Sequence, residues 1–236
     1  METKQLDFSE DEGDEWMQAC RKLQQRQKTL EIERSKKGEK AQPEFYPRGV
    51  SDEDRVKCLQ MWGVPERILK NLRSLRETKA VKWVRQFSLQ PREAWCLVLS
   101  GGKGTGKSTG ASVWLHENVP EDNIPTYEKR YWWSGTRIAR TNGYAKDFEN
   151  MIQHKLMVID DLGVEYLDKN GNFLQRLDEL IDERYSNFKR TIITTNLNVE
   201  AFQKRYGERV TDRLREGFAY GGGFYEISDD SMRARR

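Results

Sequence analysis

Cysteine is scarce in this 236-residue chain: Cys20, Cys58 and Cys96 are widely spaced, odd in number and never paired as C-x-x-C. That pattern argues against a zinc ribbon or a disulfide framework. Histidine is scarcer still. His116 and His154 have no metal-ligand pattern beside them, so surface or half-buried roles are expected. Long apolar runs are missing, and none approaches the length that crosses a bilayer. The acidic first residues, Met1 to Asp7, lack the basic and apolar regions of a secretory signal. The expectation is a cytoplasmic protein with no membrane partner. An excess of one charge is also lacking: 41 Lys+Arg stand against 38 Asp+Glu, and a net +3 does not by itself imply a nucleic-acid partner. What remains is length enough for one α/β core plus a modest extension.

Residues 1–50 differ in composition from the rest. Positions 1–15 are strongly acidic and expected to be disordered. Trp16–Lys40 favours helix, but its apolar stripe (Met17, Ala19, Leu23, Leu30, Ile32) is too thin to bury much against a core of its own. Two readings stay open, a solvated arm or a helix that docks on a partner. Residues 1–50 are therefore a candidate partner-binding segment, with residues 51–236 as the main domain behind a helical lead-in. Gln42-Pro43 and Tyr46-Pro47-Arg48-Gly49 mark the linker. Ser51 followed by Asp52, Glu53 and Asp54 predicts a capped helix start. Pro65 suits the first turn of a second helix, with Ile68, Leu69, Leu72 and Leu75 as its apolar side.

After Pro91 the pattern alternates between strands and helices. Trp95–Leu99, Lys155–Ile159 and Thr191–Thr195 are short continuous apolar runs of the kind buried parallel strands show. Weaker strand candidates are Arg130–Ser134 and Phe224–Ile227. Phe173, Leu177, Leu180, Ile181, Tyr185 and Phe188 follow helical spacing. This order predicts an α/β fold, a five-stranded parallel sheet flanked by helices.

Gly101-Gly102-Lys103-Gly104-Thr105-Gly106-Lys107-Ser108 satisfies G-x-x-x-x-G-K-[ST] between a predicted strand and a helix that Thr109 continues. Phosphate binding needs backbone N–H groups pointing inward, and glycines let the chain approach the ligand that closely. Residues 101–109 are the expected cradle for ATP. Lys107 is expected on the β- and γ-phosphates and Ser108 on Mg²⁺. Downstream, Leu156-Met157-Val158-Ile159-Asp160-Asp161 has the form of a Walker B strand. Asp160 is the second expected Mg²⁺ ligand, and Asp161 is the candidate that polarises the attacking water. Asn196, closing the next strand after Thr194-Thr195, could orient that water or simply occupy a turn. Glu208–Arg215 reads as a short charged helix bounded by Gly207 and Gly217.

The order of these motifs, with Gly207-Glu208-Arg209-Val210-Thr211-Asp212-Arg213-Leu214, the lead-in Gly63-Val64-Pro65-Glu66-Arg67 and the ending Ser231-Met232-Arg233, resembles the DnaC/IstB branch of the AAA+ ATPases over about residues 60–236. The resemblance implies a P-loop AAA+ core without the usual C-terminal helical lid. It gives Arg213 the role of arginine finger on ATP held by an adjacent subunit, and Asn196 that of sensor 1. It also implies self-association into a ring or spiral, single-stranded DNA as a ligand, and a replicative DNA helicase as partner of the N-terminal arm. Three departures stand out. Asp161 occupies a position where many AAA+ enzymes carry Glu, the stretch between the P-loop helix and Walker B is compact, and no zinc-binding N-domain precedes the core.

Lys129, Arg130, Tyr131, Trp132, Trp133, Arg137 and Arg140 mix cations with aromatics, as surfaces that track phosphates and stack bases do. On a strand, however, Trp132 and Trp133 would face opposite ways, leaving at least one for the core. The tail arginines Arg233, Arg235 and Arg236 are either phosphate contacts or a solvated terminus. The leading functional expectation is an ATP-dependent helicase loader. Its rivals are an IstB-like transposition regulator on duplex DNA, a small-molecule P-loop kinase and a non-hydrolysing adaptor.

Overall fold

A computed structural model describes residues 51–72, 75–118, 130–141, 146–168, 170–219 and 223–228. All of them lie in the second of the two units into which the chain divides, Tyr46–Arg236. The arm at Trp16–Lys40, Lys129 and the tail from Ser231 fall outside the described residues.

Three helices lead in. The first, α1 (Asp52–Met61), is capped by Ser51, whose hydroxyl accepts the Asp54 N–H at 3.2 Å, with Asp52, Glu53 and Asp54 in the positively polarised first turn. The second, α2 (Glu66–Leu72), starts at Pro65, whose carbonyl accepts the Ile68 and Leu69 N–H groups. Ile68 and Leu69 are buried, but Leu72 is half-buried and Leu75 exposed, so the apolar side is shorter than its spacing predicts. The third, α3 (Lys79–Ser88), is capped by Thr78 and buries Ala80, Val81, Val84 and Phe87 along one face.

The sheet follows. Its strands are β1 (Cys96–Gly101), β2 (Trp132–Ser134), β3 (Leu156–Leu162), β4 (Arg190–Thr195) and β5 (Gly223–Ile227), in the order β2-β3-β4-β1-β5. Every pairing is parallel. Helices cover both faces, which is why the three central strands read as unbroken apolar runs. Helix α4 (Lys107–Glu117) packs between the sheet and α1–α3. The Arg85–Glu117 ion pair at 2.9 Å and the Arg55 guanidinium on the His116 carbonyl at 3.1 Å tie this layer together.

The opposite face carries α7 (Asn172–Ser186), α8 (Val199–Tyr206) and α9 (Glu208–Ala219), with α5 (Gly135–Arg140) and α6 (Lys146–Gln153) beside β2 and β3. Val98, Met157, Ile159 and Ile193 meet Leu177, Leu180, Phe202, Val210 and Leu214 in one core. At its edge the fully buried Arg184 guanidinium bonds the carbonyls of Met151 (2.6 Å), His154 (2.8 Å) and Arg190 (3.0 Å). A buried cation is tolerable when so many acceptors surround it, and these bonds pin α7 to the start of β4.

Three local expectations are corrected. Helix α7 ends at Ser186, and Phe188 lies beyond it at φ 48°, 42% exposed, rather than on its apolar stripe. Helix α9 runs through Gly217 to Ala219 instead of stopping there. Tyr131, Trp132 and Trp133 are all buried, at 7%, 3% and 0% exposure, so none can stack a nucleic-acid base. Their rings fill the β2 edge: Tyr131 stacks on His154 at 4.4 Å, and Arg130 and Arg137 lie over the Trp133 ring.

Candidate nucleotide site

The carboxyl ends of parallel strands are where α/β sheets place their ligands, and here β1, β3 and β4 each deliver part of one site. The loop from Gly101 to Gly106 leaves β1 and enters α4. Gly106 stands at φ 87° as the N-cap, a left-handed conformation that any side chain would strain. A cavity of about 690 Å³, in the size range of small-molecule sites, opens above it. Lys103, Gly104, Thr105, Gly106, Lys107, Ser108 and Thr109 line one side, and Asp161, Val164 and Asn196 approach from the other strands.

Lys107 is buried, yet its ammonium sits within the loop. It donates to the carbonyls of Gly101 (2.7 Å) and Gly102 (2.6 Å) and to Asn196 Oδ1 (3.1 Å). Asn196 and the P-loop lysine therefore share one hydrogen bond across the gap between β1 and β4. These acceptors are neutral, and phosphate oxygens entering the cavity would bind the ammonium more strongly.

The acidic wall depends on an irregularity. The β3–β4 register shifts between Ile159 and Leu162, and Asp161 takes φ 53°. Such bulges re-aim side chains at the end of a strand. Two threonines of β4 stitch the bulge. Thr194 Oγ1 donates to Asp160 Oδ1 at 2.7 Å and accepts the Asp161 N–H at 2.9 Å. Thr195 Oγ1 donates to the Leu162 carbonyl at 2.6 Å and accepts the Leu197 N–H at 3.1 Å. Sequence reasoning gave neither threonine a role; a pair of hydroxyls at the end of an otherwise apolar strand was the available signal.

Asp160 is 7% exposed, and burial pushes its pKa above the ordinary value of 3.8, against the hydrogen bonds from Thr194 and Ser108. Ser108 lies near enough to the Asp160 carboxylate to lower its pKa, the neighbourhood that a shared cation would need. Two hard oxygen donors suit Mg²⁺, which keeps several waters and takes further oxygens from phosphates. Among the described residues no group of three or more His, Cys, Asp or Glu offers a closed metal cage.

The far wall was not foreseen. Arg67, Ile68 and Asn71 of α2, with Arg76 and Thr78, close the cavity from the lead-in side. Asn71 Nδ2 reaches Thr109 Oγ1 at 3.4 Å, so α2 stands directly beside the start of α4.

Arg213 does not line the cavity. It lies in α9, its side chain 16% exposed, with Nη1 at 3.0 Å from Asp178 and Nη2 at 2.5 Å from Asp182, both on α7. Arg209 reaches the same two carboxylates at 3.4 and 3.5 Å.

No helix among the described residues is long and apolar enough to cross a membrane. Comparison with known proteins gives one family and a small set of relatives. The family described as IstB-like ATP binding protein matches residues 56–236. The replicative helicase loader DnaC of Escherichia coli K12 is 28% identical over 150 residues, 59% of this chain and 57% of that protein. The chain thus spans little more than half the length of the DnaC relatives it matches. The uncharacterized protein YdaV of Escherichia coli K12 is 30% identical over 69 residues, 29% of this chain and 27% of that protein. Among solved structures, a crystal structure of the DnaC helicase loader aligns with 61% of this chain and 86% of its own, at 23% identity and a TM-score of 0.47. With the P-loop, the acidic strand end and the sheet order in place, the chain belongs to the IstB-like ATP-binding proteins, the DnaC/IstB type of AAA+ ATPase.

Proposed function

We propose that this chain is a Mg²⁺-dependent ATPase that acts as a helicase loader, binding a replicative DNA helicase and single-stranded DNA. The observation that carries the enzymatic part is the cavity lined by residues 103–109, Asp161 and Asn196, with the buried Asp160 near enough to Ser108 for its pKa to be lowered by it. Ser108 and Asp160 would hold Mg²⁺, which supplies charge neutralisation to the phosphates. Lys107 withdraws charge from the β- and γ-phosphate oxygens. Asp161 takes the proton of the attacking water, and Asn196 orients that water while its bond to Lys107 keeps both aligned. The water oxygen bonds to the γ-phosphorus as the bond to the β–γ bridging oxygen breaks, releasing ADP and phosphate. Arg213 of a second copy stabilises the transferring group, so the active form is a ring or spiral. Asp161 is shorter than Glu, so the reaction is expected to be slow.

The 28% identity with DnaC favours the loader role, with residues 1–50 as the helicase-docking segment. A second reading, an ATP-dependent transposition regulator on duplex DNA, is favoured by the family match over residues 56–236. ATP turnover with Mg²⁺ should fall roughly 10²–10³-fold in Lys107→Ala, the usual scale for losing one such donor. The intact chain should retain a replicative helicase on an affinity column, and a chain lacking residues 1–50 should not. Filaments on duplex DNA, with no helicase retained, would replace the first reading by the second.

A further inference from the structure

Glu165 lies three residues beyond the end of β3, and its side chain is fully buried at 0% exposure. A carboxylate out of water needs its lone pairs filled, and here all of the donors are supplied. Oε2 accepts the Gly163 N–H at 2.8 Å. Oε1 accepts the Tyr206 hydroxyl at 2.6 Å and the Arg205 guanidinium at 3.1 and 3.0 Å, while Arg205 also bonds the Glu165 carbonyl. Burial and the neighbouring carboxylate together push the Tyr206 pKa up, keeping it a proton donor. Gly135 leaves room for this arrangement, since a Cβ there would stand 2.7 Å from Oε2.

The cluster has a direction. Gly163 is two residues from Asp161, and both backbone N–H groups of the turn are held by side chains, Asp161 by Thr194 and Gly163 by Glu165. Thr194 anchors the bulge to β4; Glu165 anchors its far end to α8 through Arg205 and Tyr206. Val164, between the two anchors, lines the nucleotide cavity and is 58% exposed. The acidic wall is therefore strapped at both ends.

We propose that Glu165 is a positioning residue for the hydrolysis reaction: clamped by Arg205 and Tyr206, it fixes the turn after β3 and with it the placement of Asp161 against the cavity. The role rests on the ATPase reading above. Glutamine cannot substitute, because its NH₂ would meet either the Gly163 N–H or the Arg205–Tyr206 donors, leaving one donor facing another whichever way it turns.

The test compares wild type with Glu165→Gln and Tyr206→Phe, the second removing the hydroxyl that donates to Glu165 and accepts from Arg205 while the carboxylate and Arg205 stay. Expected for Glu165→Gln is a kcat lower by roughly 10–100-fold, the scale of a displaced catalytic group, with KM for ATP and nucleotide Kd within about threefold of wild type. Tyr206→Phe should show the same split at smaller size. Hydrogen exchange across residues 160–164 gives a readout that needs no turnover, and protection there should drop in both variants. Unchanged exchange at 160–164 overturns the proposal even if wild type hydrolyses nothing. A lowered melting temperature with kcat intact, or a Kd raised as much as kcat is lowered, overturns it too. If Glu165→Gln does not fold, Tyr206→Phe decides by the same criteria. Wild type without Lys107-dependent turnover would instead defeat the ATPase reading while the exchange result still judged the strap.

Discussion

The P-loop cavity and the α9 helix each present cations suited to a phosphate, yet their partners differ. In the cavity the Lys107 ammonium bonds two backbone carbonyls and an amide oxygen, all neutral. On α9, Arg209 and Arg213 face the carboxylates of Asp178 and Asp182, so two positive charges are already matched by two negative ones. The contrast separates a cation hydrogen-bonded to neutral acceptors, with the Asp160 carboxylate close enough to feel its charge, from two cations ion-paired to carboxylates of the neighbouring helix. If Arg213 serves ATP held by another copy, it must first leave Asp178 and Asp182. The exchange is feasible because these pairs are only partly buried: such pairs contribute on the order of 1 kcal/mol or less each, whereas a triphosphate in a water-poor site attracts a guanidinium more strongly.

The sharpest way to break the comparison is Arg213→Ala. Turnover should fall by roughly 10³-fold or more, the scale of an arginine finger, while nucleotide affinity stays near wild type because Arg213 does not line the cavity. Wild-type specific activity should also rise with protein concentration. Lost nucleotide binding in the variant would show that Arg213 supports its own cavity through α9. A smaller effect comes from the other side of the pair. Asp178→Asn with Asp182→Asn leaves Arg213 without its carboxylates, so the protein concentration giving half-maximal turnover should drop about fivefold, the equivalent of roughly 1 kcal/mol. An unchanged midpoint with a lower melting temperature would mean the aspartates only fasten α7 to α9.

How much of this was readable from residues alone follows the distance over which each feature is encoded. The P-loop is contiguous, so its glycines, Lys107 and Ser108 declare it without reference to anything else. The Asp160-Asp161 strand end and Asn196 were singled out because their order after the P-loop restricts what they can be. The bulge was not readable: it depends on Thr194 and Thr195 meeting residues 33 positions earlier across a strand pair. Glu165 was not singled out, because its side-chain donors lie 40 and 41 residues away. Arg67, Asn71 and Arg76 became cavity wall through the packing of α2 on α4, which the lead-in's composition does not encode. The aromatic run at 131–133 left a nucleic-acid surface and a core role both open, with at least one Trp expected inside. Its cations suggested a nucleic-acid surface, whereas pairing with β3 buries all three rings, Trp133 in the core beside Ile138, Phe148 and Met151 of α5 and α6, and Tyr131 against Trp62 and His154.

The smallest effect concerns Asp160, where function and stability should oppose each other. Burial raises its folded-state pKa above 3.8, so at neutral pH the folded protein holds an ionised carboxylate that it would rather see protonated. That penalty is complete above the raised value, shrinks as pH falls through it and vanishes once folded and unfolded states are both protonated. Asp160→Asn keeps an oxygen for Thr194 and removes the charge. Without nucleotide it should therefore melt higher than wild type at pH 7, by roughly 2–4 °C if about 1 kcal/mol is recovered in a domain of this size, and the gain should disappear as pH falls below the ordinary carboxylate value. Mg²⁺ with ATP should reverse the ranking, because a ligand that binds the folded state stabilises only the protein able to hold it. A variant that melts lower than wild type at pH 7 without Mg²⁺ would mean that the bonds from Thr194 and Ser108 outweigh burial. Asp160 would then be a strut of the β3–β4 bulge, and its acidity no preparation for a cation.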